Sequence, residues 1–192
     1  MNDRTAVSDS PGRIIPKKSM VKAICPEIGS LKPKYVWGRF VFNLGFGAPM
    51  WKVFRHDMWN GDSNPALVVS IKPLLVAAYS FDCDATVLIR FPDEFVDRFQ
   101  LRTKSRLFSV NMYSEEPEED VALGPMNTGR WRSFMPRIAN FLTDNKMALA
   151  QRTAQFSDDK WERVWEQAVQ YAANRPHRAR SANPMIVEFV NY

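Results

Sequence analysis

The sequence predicts an α+β fold, a mostly antiparallel sheet from the N-terminal and central segments with C-terminal helices packed on one face. Runs rich in Val, Leu and Ile recur between residues 66 and 113, separated by short turns. An amphipathic helical pattern with two tryptophans follows near residue 160 and needs a sheet to cover it. A length of 192 residues and an apolar fraction of 45% suit one globular domain.

The domain organisation is expected to be simple. Residues 1–19 mix Ser, Asp, Arg, Pro and Gly without a period, which is typical of a disordered basic arm. Residues 20–192 are expected to form a single domain. Its parts in chain order are a strand-rich stretch, an acidic loop, a helical stretch and a C-terminal strand (35–113, 114–129, 130–174 and 185–190).

The front half is predicted to hold the strands. Apolar residues of one parity run from Val36 to Phe46, which indicates a strand with one buried face. Met50–Arg55 is expected to pair back on it as a hairpin, and residues 57–65 contain a turn cluster. Three strands that are apolar on both parities follow, which suits central positions in a sheet. They are Ala66–Ile71, Leu74–Asp82 and Ala85–Phe91.

After residue 92 the predicted helices and strands follow one another in a less regular order. A short helix is expected after Pro92, and a strand at Leu107–Tyr113. Ser133 is expected to cap a first C-terminal helix, with Pro136 at a position whose N–H has no intrahelical partner. A second helix is predicted at Asp144–Gln155. The third is capped by Ser157, begins with two aspartates at its positive end, and has one apolar face. That face comprises Trp161, Val164, Trp165, Ala168, Val169 and Ala172. Met185–Val190 is expected to return to the sheet.

Asp82 and Asp84 form the sharpest local pattern. If the strand from Leu74 continues to Asp84, alternation places both carboxylates on one face, where they could share a Mg²⁺ ion. The string around Asp82-Cys83-Asp84-Ala85-Thr86 resembles the first motif of haloacid-dehalogenase-type phosphohydrolases. The resemblance covers about five residues and implies that the first Asp is a nucleophile and the second a general acid. That family continues with alternating helices and strands, whereas here the next strand follows almost at once.

Other catalytic patterns are incomplete. His56 precedes Asp57 and is a candidate general base, but the chain has only two histidines. Zinc-ligand spacing, a P-loop and a nucleophile elbow are absent from the sequence. We therefore expect no cofactor or metal, and keep Asp82, Asp84 and His56 as the catalytic residues of an enzyme alternative.

Charge and aromatic content point to binding. The formal net charge is +5, and 24 residues are aromatic. Trp37 lies among basic residues, Met58 and Trp59 lie in the predicted turn cluster, and Arg130 and Arg132 flank a tryptophan. Exposed aromatic and cationic side chains of this kind anchor protein partners, and the same combination can bind single-stranded nucleic acid.

The sequence therefore favours a non-enzymatic module that recognises another protein through an aromatic and basic surface. A nucleic-acid-binding accessory protein is the first alternative and a Mg-dependent phosphohydrolase-like enzyme the second. The most apolar run, Leu74–Phe81, is far shorter than the roughly 20 residues of a membrane helix. The first 18 residues lack the apolar stretch of a signal peptide. We expect no membrane partner and a cytoplasmic location.

Overall fold

The computed structural model describes Ser8 and residues 10–26, 47–175 and 177–192. In these ranges the chain forms a curled seven-stranded sheet and helices that pack against it. The helices are α1 (Lys18–Ile24), α2 (Gly47–Asn60), α3 (Phe95–Arg98), α4 (Lys146–Thr153) and α5 (Asp158–Asn174). The strands are β1 (Asp62–Ile71), β2 (Leu74–Ser80), β3 (Ala85–Arg90), β4 (Arg106–Ser114), β5 (Ser133–Ile138), β6 (Arg178–Ser181) and β7 (Phe189–Asn191).

The sheet is antiparallel at every pairing but one. Its strand order is β5-β4-β1-β2-β3-β6-β7, and among the strands of the described residues only β3 and β6 run parallel. Helix α5 lies against β1, β2 and β3, while α4 lies against β4. The predicted α+β fold, with a mostly antiparallel sheet and a C-terminal helix on it, is confirmed.

Helix α5 contributes to both buried hydrophobic clusters of the fold. Trp161 and Val164 belong to one cluster, and Ala168 and Tyr171 belong to the other. The spacing of three, four and three residues is the helical period, as the sequence predicts. Ser157 occupies the N-cap position, although its side chain makes no capping hydrogen bond. Val169 lies outside the buried face and is exposed.

The predicted hairpin strand at Met50–Arg55 is wrong, because these residues belong to α2. Trp51, Phe54 and Met58 recur at helical spacing. Phe54 and Met58 are fully buried, and the rings of Trp51 and Phe54 stack. The predicted turn cluster is divided between two elements. Helix α2 ends at Asn60, and β1 begins two residues later.

A proline near the start of β1 explains why the sequence resembled a turn there. Pro65 has no N–H to donate to the neighbouring strand, and extending the β1–β2 register places Tyr79 opposite it. The carbonyl of Tyr79 instead accepts a hydrogen bond from Asn111 Nδ2 at 2.8 Å. Asn64 Oδ1 similarly accepts from the backbone N–H of Phe81 at 3.1 Å. The Asn111 amide thus replaces the donor that Pro65 lacks, and the Asn64 amide supplies an acceptor to a neighbouring backbone N–H.

The helix predicted from Ser133 is also wrong, since Ser133–Ile138 is the edge strand β5. The buried residues Phe134 and Ile138 lie four apart, a spacing that fits a helix face and one face of a strand equally well. Pro136 lies opposite Asn111 in this strand. A proline is tolerated there because one side of an edge strand has no partner for its N–H.

The chain ends differ from expectation in detail. The C-terminal strand is limited to Phe189–Asn191, and an unpredicted strand, β6, pairs with it. In the segment expected to be a disordered arm, Ile14 is buried, and the backbone N–H groups of Gly12 and Ile14 hydrogen bond near the end of α2. The strand predicted from Val36 to Phe46 lies outside the described residues. Among the residues that the structure describes, no helix is both long enough and apolar enough to cross a bilayer.

Candidate functional site

The outer face of α2 carries the most distinctive mixture of exposed side chains. Lys52, Arg55, His56 and Trp59 follow one another at spacings of three, one and three residues, which places them on one side of a helix. All four are exposed, and the Trp59 side chain retains 39% of its accessible surface. The helix therefore presents an aromatic ring framed by cations to the solvent.

The inner face of α2 fixes this orientation. Phe54 and Met58 are wholly buried, and the Arg137 guanidinium lies 4.7 Å from the centre of the Phe54 ring. Arg137 Nη1 also contacts Asp57 Oδ2 at 2.8 Å, an ion pair largely removed from solvent. Because one face of the helix is tied to the core in this way, rotation of Trp59 away from the surface would break several contacts.

A short N-terminal segment completes the site. The backbone N–H groups of Arg13 and Ile14 donate to the carbonyls of Trp59 and Met58 at 3.0 and 3.2 Å. These carbonyls belong to the last turn of α2, which has no further helical donors. The segment brings the Arg13 guanidinium to 5.1 Å from the centre of the Trp59 ring and leaves Ile15 61% exposed.

The four exposed side chains of α2 and residues 14–16 line an open hollow of about 300 Å³, and Arg13 lies beside it over the Trp59 ring. We call this surface the Trp59 patch, which comprises Arg13, Ile15, Lys52, Arg55, His56 and Trp59. Of the described residues that line the hollow, none is acidic. An arginine over a tryptophan gains from the electrostatic attraction between a cation and the ring face. The patch can therefore hold an apolar group on the ring and on Ile15, with carboxylates directed at the flanking cations.

The other predicted contact residues have different surroundings. Met58 is buried in the core, so the structure removes it from the predicted surface. Arg130 and Arg132 are exposed on the loop before β5, where the Arg130 guanidinium lies 5.4 Å from the ring of buried Trp131. Trp37 lies outside the described residues. Sequence reasoning missed the cations of α2 because it assigned Met50–Arg55 to a strand.

Asp84 is held by four donors at the turn between β2 and β3. Its Oδ1 accepts from Tyr79 Oη at 2.6 Å, Arg163 Nη2 at 2.7 Å and Gln167 Nε2 at 3.1 Å, and its Oδ2 accepts from the backbone N–H of Met126 at 3.0 Å. Burial raises the pKa of this carboxyl, but the hydrogen bonds and the arginine outweigh burial and lower the pKa overall. Burial and Asp84 also raise the pKa of Tyr79.

This arrangement does not fit the predicted pairing of Asp82 with Asp84. Strand β2 ends at Ser80, so alternation does not extend to either residue, and Asp84 adopts a left-handed backbone with φ of 47°. The prediction placed both carboxylates on the sheet face of Ser80. The carboxylate of Asp84 instead contacts Tyr79, whose side chain lies on the opposite face of β2. Its oxygens are directed at protein donors rather than at a shared cation.

His56 is the third residue named for the enzyme alternative. It lies on α2 with Nδ1 3.7 Å from Asp57 Oδ1, while Asp57 is engaged by Arg137. Within the described residues, no three His, Cys, Asp or Glu side chains are grouped to hold a metal ion. Asp82 and Asp84 lie in the turn between β2 and β3, whereas His56 lies on α2.

The acidic loop instead pairs with the C-terminal arginines. Arg180 binds the Asp120 carboxylate through Nε at 2.8 Å and Nη2 at 2.7 Å, and both side chains are buried. Tyr171 Oη donates to the same carboxylate at 3.3 Å. Arg178 forms a second ion pair, with Glu119. These ion pairs join residues 119–120 of the acidic loop to β6, so the two acidic side chains stabilise the fold rather than form an unpaired acidic surface.

Comparisons with models of known protein families, with curated proteins and with solved structures found no match for this chain.

Proposed function

We propose that the protein is a non-enzymatic binding module that recognises another polypeptide through the Trp59 patch. The observation that supports this most directly is the exposed Trp59 ring with Arg13 over it and Ile15 beside it. Tryptophan and arginine are the side chains that most often dominate the energy of protein interfaces. A rigid helix with a buried inner face supports them, which lowers the entropy lost on binding.

The chemistry of the patch indicates the kind of segment it would take. Lys52, Arg55 and Arg13 supply positive charge, and the described lining residues supply no acid. An apolar side chain flanked by Asp or Glu would fill the hollow and pair with these cations. Electrostatic complementarity of this kind raises the rate of association and selects against basic partners.

Site-specific photocrosslinking tests the proposal in an extract of cells that express the protein. A crosslinking amino acid at position 55 should capture a defined polypeptide, which mass spectrometry identifies. The same amino acid at position 169 is the control, since Val169 is similarly exposed but lies on α5. Equal capture at both positions, or capture of nucleic acid at position 55, would contradict the proposal.

The captured polypeptide then allows a quantitative test. Trp59→Ala should weaken its binding by at least about 2 kcal/mol, roughly 30-fold in Kd, if the ring is a hot spot. Val169→Ala should leave Kd within about twofold, since surface substitutions away from an interface have small effects. Binding that survives Trp59→Ala unchanged would remove the Trp59 patch as the contact surface.

A further inference from the structure

A second open groove lies on another surface of the molecule. It runs between the loop that connects α3 to β4, the start of β4 and residues 140–149, and its volume is about 820 Å³. Five of its lining side chains are cationic, namely Arg98, Arg102, Lys104, Arg106 and Lys146. The one acidic residue among the described residues that line it is Asp144, whose carboxylate is 2.5 Å from Lys17 Nζ. We call this surface the basic groove.

Aromatic rings hold three of these cations in place. The Arg106 guanidinium lies 5.2 Å from the centre of the Trp161 ring, Lys104 Nζ lies 4.5 Å from that of Trp165, and the Arg98 guanidinium lies 5.3 Å from that of Phe99. Arg106 also pairs with Asp158 at 2.6 Å, although both side chains remain largely exposed. Cations restrained on ring faces lose less conformational entropy when an anion binds, while their outer N–H groups stay available.

The lining of the basic groove differs from that of the Trp59 patch. Its neutral polar residues include Gln100, Thr103, Ser105 and Asn140, which can donate hydrogen bonds to phosphate oxygens. None of the exposed large hydrophobic side chains of the described residues lines it. Met20, Phe99 and Leu101 also line the groove and are half-buried, so its five cations rather than an exposed apolar anchor indicate the ligand.

The arrangement of the cations favours a linear ligand. Arg98 ends α3, Arg102 to Arg106 follow along the next loop and strand, and Lys146 begins α4. Cations from three chain segments that line one open groove suit a repeated charge better than a single anion. Trp161 is buried, and neither it nor Trp165 is among the described residues that line the groove, so these rings offer little surface for stacking bases.

We propose that the basic groove binds the phosphate backbone of a nucleic acid strand without reading its base sequence. This goes beyond the proposed function, because it concerns a different surface and a different class of ligand. The positive charge and polar lining supply the affinity, and contacts limited to phosphates give no sequence preference.

Fluorescence anisotropy with labelled oligonucleotides of about 20 nucleotides tests this on the full chain, at salt concentrations of roughly 50 to 200 mM. If all five cations contact phosphates of a single strand, log Kobs should fall with log salt at a slope of about −3.5. Oligonucleotides of different sequence should bind within about threefold of one another, because phosphate contacts carry no sequence information.

Paired variants locate the site. Arg102→Gln combined with Lys104→Gln should weaken binding to all sequences by a similar factor and reduce the magnitude of the slope by about 1.4. The matched control removes two cations of the Trp59 patch, Lys52→Gln with Arg55→Gln, and should leave the slope unchanged. All four side chains are exposed, so both variants should fold, and circular dichroism melting checks this.

Three outcomes would overturn the proposal. The first is an equal effect of the two paired variants on the slope, and the second is a slope near zero for the native chain. The third is binding of a labelled poly-glutamate peptide as tight as that of the oligonucleotide, which would assign the basic groove to an acidic protein segment. Protein binding at the Trp59 patch can fail or succeed independently, because Trp59→Ala does not alter the groove.

Discussion

Replacement of Asp120 by Asn tests how strongly the acidic loop is tied to the C-terminal strands. The side chains of Asp120 and Arg180 are only 1% and 4% exposed. The guanidinium makes two hydrogen bonds to the carboxylate and a third, at 2.7 Å, to the carbonyl of Phe134. Asn keeps the shape of the side chain but leaves the charge of Arg180 without a counter-ion in a buried position.

The expected cost follows from this burial. Removal of one partner of a buried ion pair typically lowers the free energy of unfolding by about 3–5 kcal/mol. For a chain of this size, about 1 kcal/mol corresponds to roughly 2–4 °C in Tm, so Tm should fall by roughly 6–20 °C. The matched control is Asp144→Asn, since the side chains of Asp144 and Lys17 are 63% and 53% exposed. It should shift the unfolding midpoint far less, because solvent screens an exposed ion pair.

Urea unfolding followed by tryptophan fluorescence measures both variants, with the midpoint and the m value fitted separately. A double variant, Asp120→Leu with Arg180→Met, should recover much of the lost stability, because the penalty comes from an orphaned charge rather than from a missing attraction. If Asp120→Asn and Asp144→Asn shift the midpoint equally, the ion pair does not hold the loop and this reasoning fails.

Three further predictions concern the turn before β3 and the buried thiols. Because the pKa of Asp84 is lowered, its carboxylate stabilises the fold above the unfolded-state pKa of about 3.9, and this stabilisation is lost as pH falls below that value. Urea unfolding from about pH 7 to pH 3 should therefore show the stability gap between the native chain and Asp84→Asn narrowing in acid. Gly124→Ala should destabilise by about 1–3 kcal/mol, since a Cβ would lie 2.3 Å from Asp84 Oδ2 and 2.4 Å from its backbone oxygen; unchanged thermal melting would contradict this. Cys25 and Cys83 are buried and are not joined in a disulfide, so a thiol reagent should label them only after denaturant is added.

The central strands could be predicted because their signals are local. Leu74–Ser80 and Ala85–Arg90 are short apolar runs joined by a tight turn, and each is buried nearly throughout. Their pairing requires only that the chain reverse direction once. Helix α5 was equally predictable, because a strong apolar stripe over 17 residues has one structural interpretation.

The errors arise where one pattern fits two structures. Phe134 and Ile138 suit a helix or a strand, and only the partner strand β4 decides between them. Strand β6 contains Arg178 and Arg180, which resemble a charged tail in the sequence. It is stabilised by Asp120, some 60 residues earlier in the chain. Long-range charge pairing of this kind has no local signal, although the matching acidic and basic runs were visible.

The candidate site was predictable only in part, because the segment before Trp59 was predicted as a strand and is a helix. Trp59 was identified from its place in the predicted turn cluster, although the structure places it on a helix. Its cationic neighbours Lys52 and Arg55 depend on the helical spacing that was misassigned. The basic groove could have been suspected, since four of its cations lie within the nine residues from Arg98 to Arg106.

The two proposed surfaces are connected by one short stretch of chain. Ile15 lines the Trp59 patch, and its carbonyl accepts a hydrogen bond at 2.9 Å from Thr143 Oγ1, a residue that lines the basic groove. Two residues later, Lys17 pairs with Asp144 and neutralises the acidic residue of the groove. The same stretch thus positions an exposed apolar anchor on one surface and preserves the positive charge of the other. A polypeptide at the patch and a phosphate strand in the groove would lie side by side, an arrangement suited to joining a protein to a nucleic acid.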